Sequence, residues 1–168
     1  RTAGVVQIDE DRHFIVDVFR VRGGSQHDYF LHSIAGDEGE NFEITCDATL
    51  ADRPGTLAGP EVEYGADVES GYSYIRNLRS GQVAEKFSAT WRPGDEKETA
   101  YRVHVLPGDG CEVITGKAEG KGIFGRSPID PYLILRRASE DGLDSTFLVV
   151  HVPFQGEDPG LQIEPIEM

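Results

Sequence analysis

His27, Tyr29 and His32 crowd one short run, QHDYFLH, with Asp28 between them. An imidazole and a phenol on one surface can move protons to and from a bound substrate, so this set suits general acid–base chemistry. Strand geometry limits how it can act. Side chains alternate along a strand, so His27 shares a face with Tyr29 while His32 shares the opposite face with Asp28, about 16 Å away along the strand. One metal ion held by both histidines is therefore not expected, and two cysteines are too few for a structural zinc site. The plainer assignment is that both histidines are hydrogen-bonded parts of the architecture. Asp17 stands among Phe14, Ile15, Val16, Val18 and Phe19, and a carboxylate buried there needs a cation or several donors. Arg20 and Arg22 lie too close along the same strand to be its evident partners, and a histidine from a neighbouring strand serves equally well; a structural ion pair is simpler than catalysis. Tyr72, Tyr74 and Trp91, with Arg76 nearby, are the remaining candidates for sugar contact, the rings as a stacking platform. Trp91 falls on the apolar phase of its strand, which favours a core position. Arg136-Arg137 could grip a carboxylate, although a strand end at the surface accounts for the pair. Nothing matches a nucleotide-binding loop, a nucleophile elbow or a zinc signature.

The elements that must position these groups read as strands. Phe14 to His32 is two apolar strands around Gly23-Gly24-Ser25, glycines that tolerate the positive φ of a tight hairpin. The first strand is apolar on both sides, which predicts a place inside a sheet. Thr2 to Ile8 precedes it as a short apolar run. Phe42 to Leu50 alternates, with Phe42, Ile44, Cys46, Ala48 and Leu50 inward. Asp52 to Ser70 has no period and reads as a long loop, and Tyr72 to Leu78 as a strand. Val83 to Trp91 alternates less cleanly, because Glu85 interrupts its apolar face. Thr99 to Leu106 and Cys111 to Thr115 read as a hairpin. Gly116 to Asp130 reads as a second loop exposing Phe124. Pro131 to Arg137 and Thr146 to Val152 read as a last pair of core strands, and Gln162 to Ile166 as a short edge strand. Ten or eleven strands without a convincing helix predict a single all-β domain over 1–168, an antiparallel two-sheet β-sandwich.

The bulk numbers exclude several classes. A length of 168 residues supports one domain with a real core. The 20 Gly and 9 Pro cut the chain into short segments. A net charge of −14 opposes nucleic acid as a partner, since phosphate recognition needs a basic stripe. It also weakens attraction of the whole surface for an acidic polymer, though Arg outnumbers Lys 12 to 4 and local guanidinium clusters can override the mean field. No run approaches a membrane span, and no cofactor is expected. Cys46 reads as a small buried hydrophobe; a Cys46–Cys111 disulfide stays open. The chain opens at Arg1-Thr2 in a β-like run without an initiator methionine, which reads as a piece of a longer or processed protein.

The wording of three segments carries a resemblance. VDVFRVRGGSQHDYFLHS resembles the sandwich segment of heparinase II/III-like polysaccharide lyases, where a D-x-F-R-V-x-G-G-x-x-H-D-Y-x-x-H pattern recurs. Tyr132 to Phe154, YLILRRASEDGLDSTFLVVHVPF, is similar to the end of the same proteins, and GYSYIRNLRSG and the strand into Trp91 fit between them in order. The resemblance implies a helical toroid upstream of the sandwich and cleavage of uronate polysaccharides by β-elimination. A Tyr or His would take the proton α to the carboxylate while a polar neighbour neutralises it. That reactive set lies upstream of the matched region, so no catalytic residue carries over. His27, Tyr29 and His32 match the pattern, as do Asp17, Arg20, Gly23 and Gly24, which read as structural. The expectation is the C-terminal β-sandwich portion of such a lyase, secreted or periplasmic, inactive alone and supporting a cleft for an acidic polysaccharide. A free-standing carbohydrate-binding module is the alternative, and an acid–base enzyme built on the His27/Tyr29 face a third reading.

Overall fold

Alternating apolar runs broken by Gly, Pro and Asp turns fold into eleven strands among the described residues: β1 Thr2–Gln7, β2 His13–Arg22, β3 Gln26–His32, β4 Phe42–Thr45, β5 Ala51–Thr56, β6 Arg76–Val83, β7 Phe87–Trp91, β8 Thr99–Leu106, β9 Cys111–Glu119, β10 Ile129–Ala138 and β11 Asp144–Gln155. The structure, a computed structural model, describes residues 1–94, 98–108, 110–120 and 128–164. One sheet runs β1-β2-β11-β8-β7-β4 and the other β3-β10-β9-β6-β5, every neighbouring pair antiparallel. The two sheets pack face to face as a β-sandwich. Their shared core holds Tyr29, Leu31, Phe87, Trp91, Val103, Val105, Val113, Leu133, Leu135, Phe147 and Val149. From β9 and β10 the odd-numbered Cys111, Val113, Leu133 and Leu135 enter this core. The even-numbered Ile114 and Ile134 enter a second cluster with Leu57, Ile75 and Leu78 on the outer side of the second sheet. A 3-10 turn, Gly71–Tyr74, sits in the segment that covers that outer side, capped by Ser70, whose hydroxyl accepts from the Tyr72 amide.

Several sequence expectations change here. β2 and β3 are not a hairpin: β2 pairs with β1 and β11, whereas β3 pairs with β10 in the other sheet. Gly23 and Gly24 do adopt positive φ, 87° and 79°, but they turn the chain from one sheet into the next. The pairs β8/β9 and β10/β11 likewise cross between sheets. Alternation and turn residues specify a reversal of the chain without specifying which sheet receives the returning strand. β2 does lie inside its sheet, yet only Asp17 along it is buried, the apolar residues being half covered. Phe42 to Leu50 alternates in burial as expected, but its pairing ends at Thr45, beyond which the chain crosses to begin β5 at Ala51. β5 itself, with Pro54 and a register shift between Arg53 and Thr56, shortens the expected loop of Asp52–Ser70. Tyr72 and Tyr74 lie in the 3-10 turn rather than in a strand. β9 extends through Gly116 to Glu119, so the second expected loop is shorter than its glycines suggest, and Phe124 falls outside the described residues. Gln162–Glu164 is not a strand, and the rest of that expected edge lies outside the described residues.

Candidate functional site

Asp17 is 1% exposed, and the groups that hold it come from β3, from β11 and from Arg1. β2 points the carboxylate between the sheets because Asp17 takes the same phase as Phe19 and Val21, which pack on the core. Arg1 grips it with Nη2 at 2.5 Å from Oδ2 and Nε at 3.1 Å from both oxygens. Tyr29, reaching across from β3, donates its hydroxyl to Oδ2 at 2.6 Å. His151 on β11 brings Nε2 to 3.7 Å from the same oxygen, an electrostatic contact longer than a hydrogen bond. The other ring nitrogen, Nδ1, lies 2.5 Å from the Tyr101 hydroxyl of β8. A carboxylate, an imidazole and a phenol thus stand in line, with a second phenol and a guanidinium on the carboxylate. Burial pushes the Asp17 pKa upward, but the hydrogen bonds from Arg1 and Tyr29 and the charge of Arg1 outweigh it and hold the carboxyl below its ordinary value. Burial raises Tyr29, reinforced by its bond to Asp17, and pushes Tyr101 up to about 12. Burial lowers His151 against the pull of Asp17. At neutral pH both phenols are protonated donors and the imidazole is neutral. Each of these groups is turned toward another member of the network, and Arg1, 59% exposed, is the one that opens to solvent.

His27 shares the inner face with Tyr29 but does not join it. Its Nε2 donates to the Gly23 carbonyl, which can only accept, and its Nδ1 is hydrogen-bonded with the Ser145 hydroxyl at 2.9 Å. The ring thereby staples the β2–β3 crossing to β11. Trp91 is wholly buried and donates Nε1 to the Pro131 carbonyl at 3.0 Å, tying β7 to β10 across the core. It presents no face to a sugar, which removes it from the expected platform. Arg20 is exposed on the outer side of the first sheet opposite Thr146, away from Asp17. The histidine nearest Asp17 from a neighbouring strand is His151 of β11, with Nε2 at 3.7 Å.

The remaining candidates gather outside the second sheet. His32, with a 52% exposed side chain, stacks on Tyr132 at 4.6 Å between ring centres, its Nδ1 4.0 Å from Asp130. Burial raises the Asp130 carboxyl, with His32 opposing. Tyr74 meets Tyr64 edge-on at 5.5 Å, and Arg76 lies 4.5 Å above the Tyr64 ring while pairing with Glu119. His32 and Arg76 border the same end of the sheet, three strand spacings or about 14 Å apart, since His32 pairs with Tyr132, Pro131 with Lys117 and Lys117 with Arg76. Tyr72 is not part of this rim; its hydroxyl donates to Asp28 at 2.9 Å, beside the two-point grip of Arg136 on the same carboxylate, 2.8 Å for each bond. Arg136 therefore does hold a carboxylate, one from its own fold. Arg137, on the other face, donates to the Pro107 carbonyl.

Sequence reasoning missed Arg1, Tyr101 and His151. Tyr101 and His151 occupy the inward phase with Val103 and Val149, so a polar ring inside an apolar alternation was the available signal. A cleft of about 610 Å³ lies elsewhere, between the β1–β2 turn, the end of β11 and Glu157–Leu161, and no member of the Asp17 network lines it. Both cysteines are free: Cys111 is wholly buried, its thiol pushed up to about 11 by burial, and Cys46 is half-buried against the core. Among the described residues no three His, Cys, Asp or Glu side chains are placed to hold a metal ion. No family model matches the chain, and no curated protein matches it.

Proposed function

We propose that this chain is the C-terminal β-sandwich portion of a heparinase II/III-like polysaccharide lyase, supporting a cleft in which uronate polymers are cleaved by β-elimination without itself performing the proton transfer. The observation that carries the non-catalytic half is the closure of the Asp17 network. A base for β-elimination must be deprotonated and reach the substrate. Here Tyr29 and Tyr101 are held protonated by burial, and both hydroxyls are committed to Asp17 and His151. His27, Tyr29 and Asp17, three residues of the lyase-like pattern, serve the crossing between the sheets. That use explains why a sandwich needs such residues there.

Incubating the pure chain with heparin, heparan sulfate, alginate and hyaluronan tests this directly. No ultraviolet absorbance from unsaturated uronate ends is expected, and sustained turnover by the chain alone would overturn the reading. The lyase assignment is tested by the reading frame upstream of Arg1, expected to encode a helical region bearing Tyr and His. A parent protein that leaves all four polymers uncut removes it.

One observation favours the second reading, a carbohydrate-binding module. The rim of His32, Tyr64, Tyr74 and Arg76 offers aromatic faces and a cation at one end of the second sheet. Binding of an uncut oligosaccharide that is lost in Tyr64→Ala and retained in Val68→Ala would decide for it.

A further inference from the structure

The arginines of this acid-rich chain are almost all neutralised within the fold. Among the described residues every arginine except Arg20 and Arg137 pairs with an Asp or Glu carboxylate. Arg20 is exposed, so water solvates its charge. Arg137 on β10 is half-buried. Its guanidinium lies over Phe147, 5.6 Å from the ring centre, and Nη2 donates to the Pro107 carbonyl just past β8. Nε is shielded without a partner, and Nη1 makes no bond among the described residues. A partly desolvated cation without a counter-ion costs stability, although the chain has 30 acidic residues that could have supplied one. Gly108, with φ of 63°, keeps the place clear, since a Cβ there would come within 2.5 Å of Nη2. A neutral amide would serve the bond to Pro107 as well, so the charge itself has no use inside the fold.

Arg137 lines a cleft of about 710 Å³, a size that suits a small molecule. Ala84, Leu106, Pro107 and Leu148 give it apolar walls, and Thr146 adds a hydroxyl. Its charged lining is Arg137 and Lys86 against Glu85 and Asp144, and Arg22 already neutralises Asp144 at 2.8 Å. The Lys86 ammonium donates to the Ile163 carbonyl, which leaves its charge in place. Arg20, the other arginine without a carboxylate, lies opposite Thr146 on the neighbouring strand. The site is thus locally cationic on a chain of charge −14, and salt at about 0.15 M screens the remoter acids beyond roughly 8 Å.

We propose that this cleft binds the carboxylate of a small organic acid with an apolar body, Arg137 serving as the counter-ion and Leu106 and Leu148 packing on the body. The inference does not depend on the lyase reading. The guanidinium offers charge-assisted hydrogen bonds to a carboxylate beside walls that partly exclude water. Those walls distinguish such an acid from a uronate, whose hydroxylated ring would be desolvated against Leu106 and Leu148 without partners.

Titrating the isotope-labelled chain with hexanoate, followed by nuclear magnetic resonance at neutral pH, tests the proposal. Saturable shifts are expected at the amides of Gly108, Thr146 and Leu148 and at the Arg137 Nε–H, with a millimolar midpoint. Hexanol has the same body without the charge, and glucuronate the charge without the apolar body. Each should need at least about tenfold more ligand. Arg137→Gln, which keeps a donor for Pro107, should weaken hexanoate by the same factor, whereas Arg92→Gln, at the opposite end of β7 from Lys86, should leave it unchanged. The comparison with hexanol uses the unsubstituted chain and so stands even where the Arg137 variant fails to fold. No saturable shift with millimolar hexanoate, hexanol or glucuronate binding as well as hexanoate, or undiminished binding in folded Arg137→Gln would each overturn the proposal.

Discussion

Asp17 concentrates the residue-scale energetics, because a carboxylate with 1% exposure depends wholly on the groups that hold it. Leaving a buried donor without its acceptor costs about 1–3 kcal/mol, more where the lost acceptor was charged, a large share of the roughly 5–15 kcal/mol by which a domain is stable. Asp17→Ala strands the Tyr29 hydroxyl and leaves Arg1 beside a neutral pocket. It is expected to lower the urea midpoint far more than Glu38→Ala, at an exposed position of the acidic turn. His27→Ala should fall between, about 1–3 kcal/mol, since it deprives Gly23 and Ser145 of a buried partner. The same network makes stability depend on pH. Asp17 has a folded pKa below its unfolded value, so its contribution is complete above about pH 4 and is lost as pH falls through the lower folded value. His151 is depressed by burial, so it too favours the fold above its unfolded pKa near 6.5 and loses that contribution as pH falls toward its folded value. Both act in the same direction. Melting temperatures should decline on acidification from about pH 6.5, and His151→Gln should flatten the upper part of that decline while leaving the fall below about pH 4. An unchanged profile in His151→Gln would show that the imidazole is already solvated in the native protein.

At the scale of elements, the outer face of the second sheet depends on the segment from Leu57 to Ile75 that covers it. Leu57 and Ile75 pack on Leu78, Ile114 and Ile134, and the Leu57 amide donates to the Ile75 carbonyl at 2.9 Å, closing the base of the segment. Gly55 sets where this covering segment leaves β5. It has φ of 72°, and a Cβ there would fall inside contact distance of the Gly59 and Pro60 carbonyls, which are backbone and cannot swing aside. Left-handed backbone strain alone costs an ordinary residue about 1–2 kcal/mol. Gly55→Ala is therefore expected to destabilise by about 2 kcal/mol or more and to speed exchange of the Leu57 amide ahead of the amides of β9 and β10. Gly142→Ala makes the comparison, since it has φ of 86° with no atom near its Cβ position and so carries the backbone strain without the collision. Equal losses in the two variants would mean that the covering segment leaves β5 by another path.

Across the whole molecule the excess of acid acts as a distributed load. A charge of −14 on one domain repels itself, whereas the ion pairs that offset it locally, such as Arg22 with Asp144 and Arg92 with Glu43, are exposed and individually weak. Raising salt from about 0.01 to 0.15 M shortens the screening length from roughly 30 to 8 Å. The unfolding midpoint at pH 7 should rise over that range, and a fall would show that exposed ion pairs outweigh the net repulsion.

Much of the architecture was legible in the residues themselves. Turn residues between short alternating runs determine an all-antiparallel sandwich, because a period of two leaves each strand one face for the core. Phase alone placed Trp91 inside, aligned Phe42 to Leu50, and marked Asp17 as a charge that must be held. Which strand lies beside which was decided in three dimensions. The sequence run Phe14 to His32 reads as a hairpin because local chemistry records a reversal and nothing more; the choice of β11 for β2 and β10 for β3 depends on burying both inner faces at once. The candidate site follows from that choice. Asp17 and Tyr29 are twelve residues apart and meet only because their strands face each other from opposite sheets. His151 and Tyr101 join them from β11 and β8, strands distant in sequence that pairing sets first and second from β2 in the sheet. A buried charge announces that it needs partners, but tertiary packing decides which residues those are.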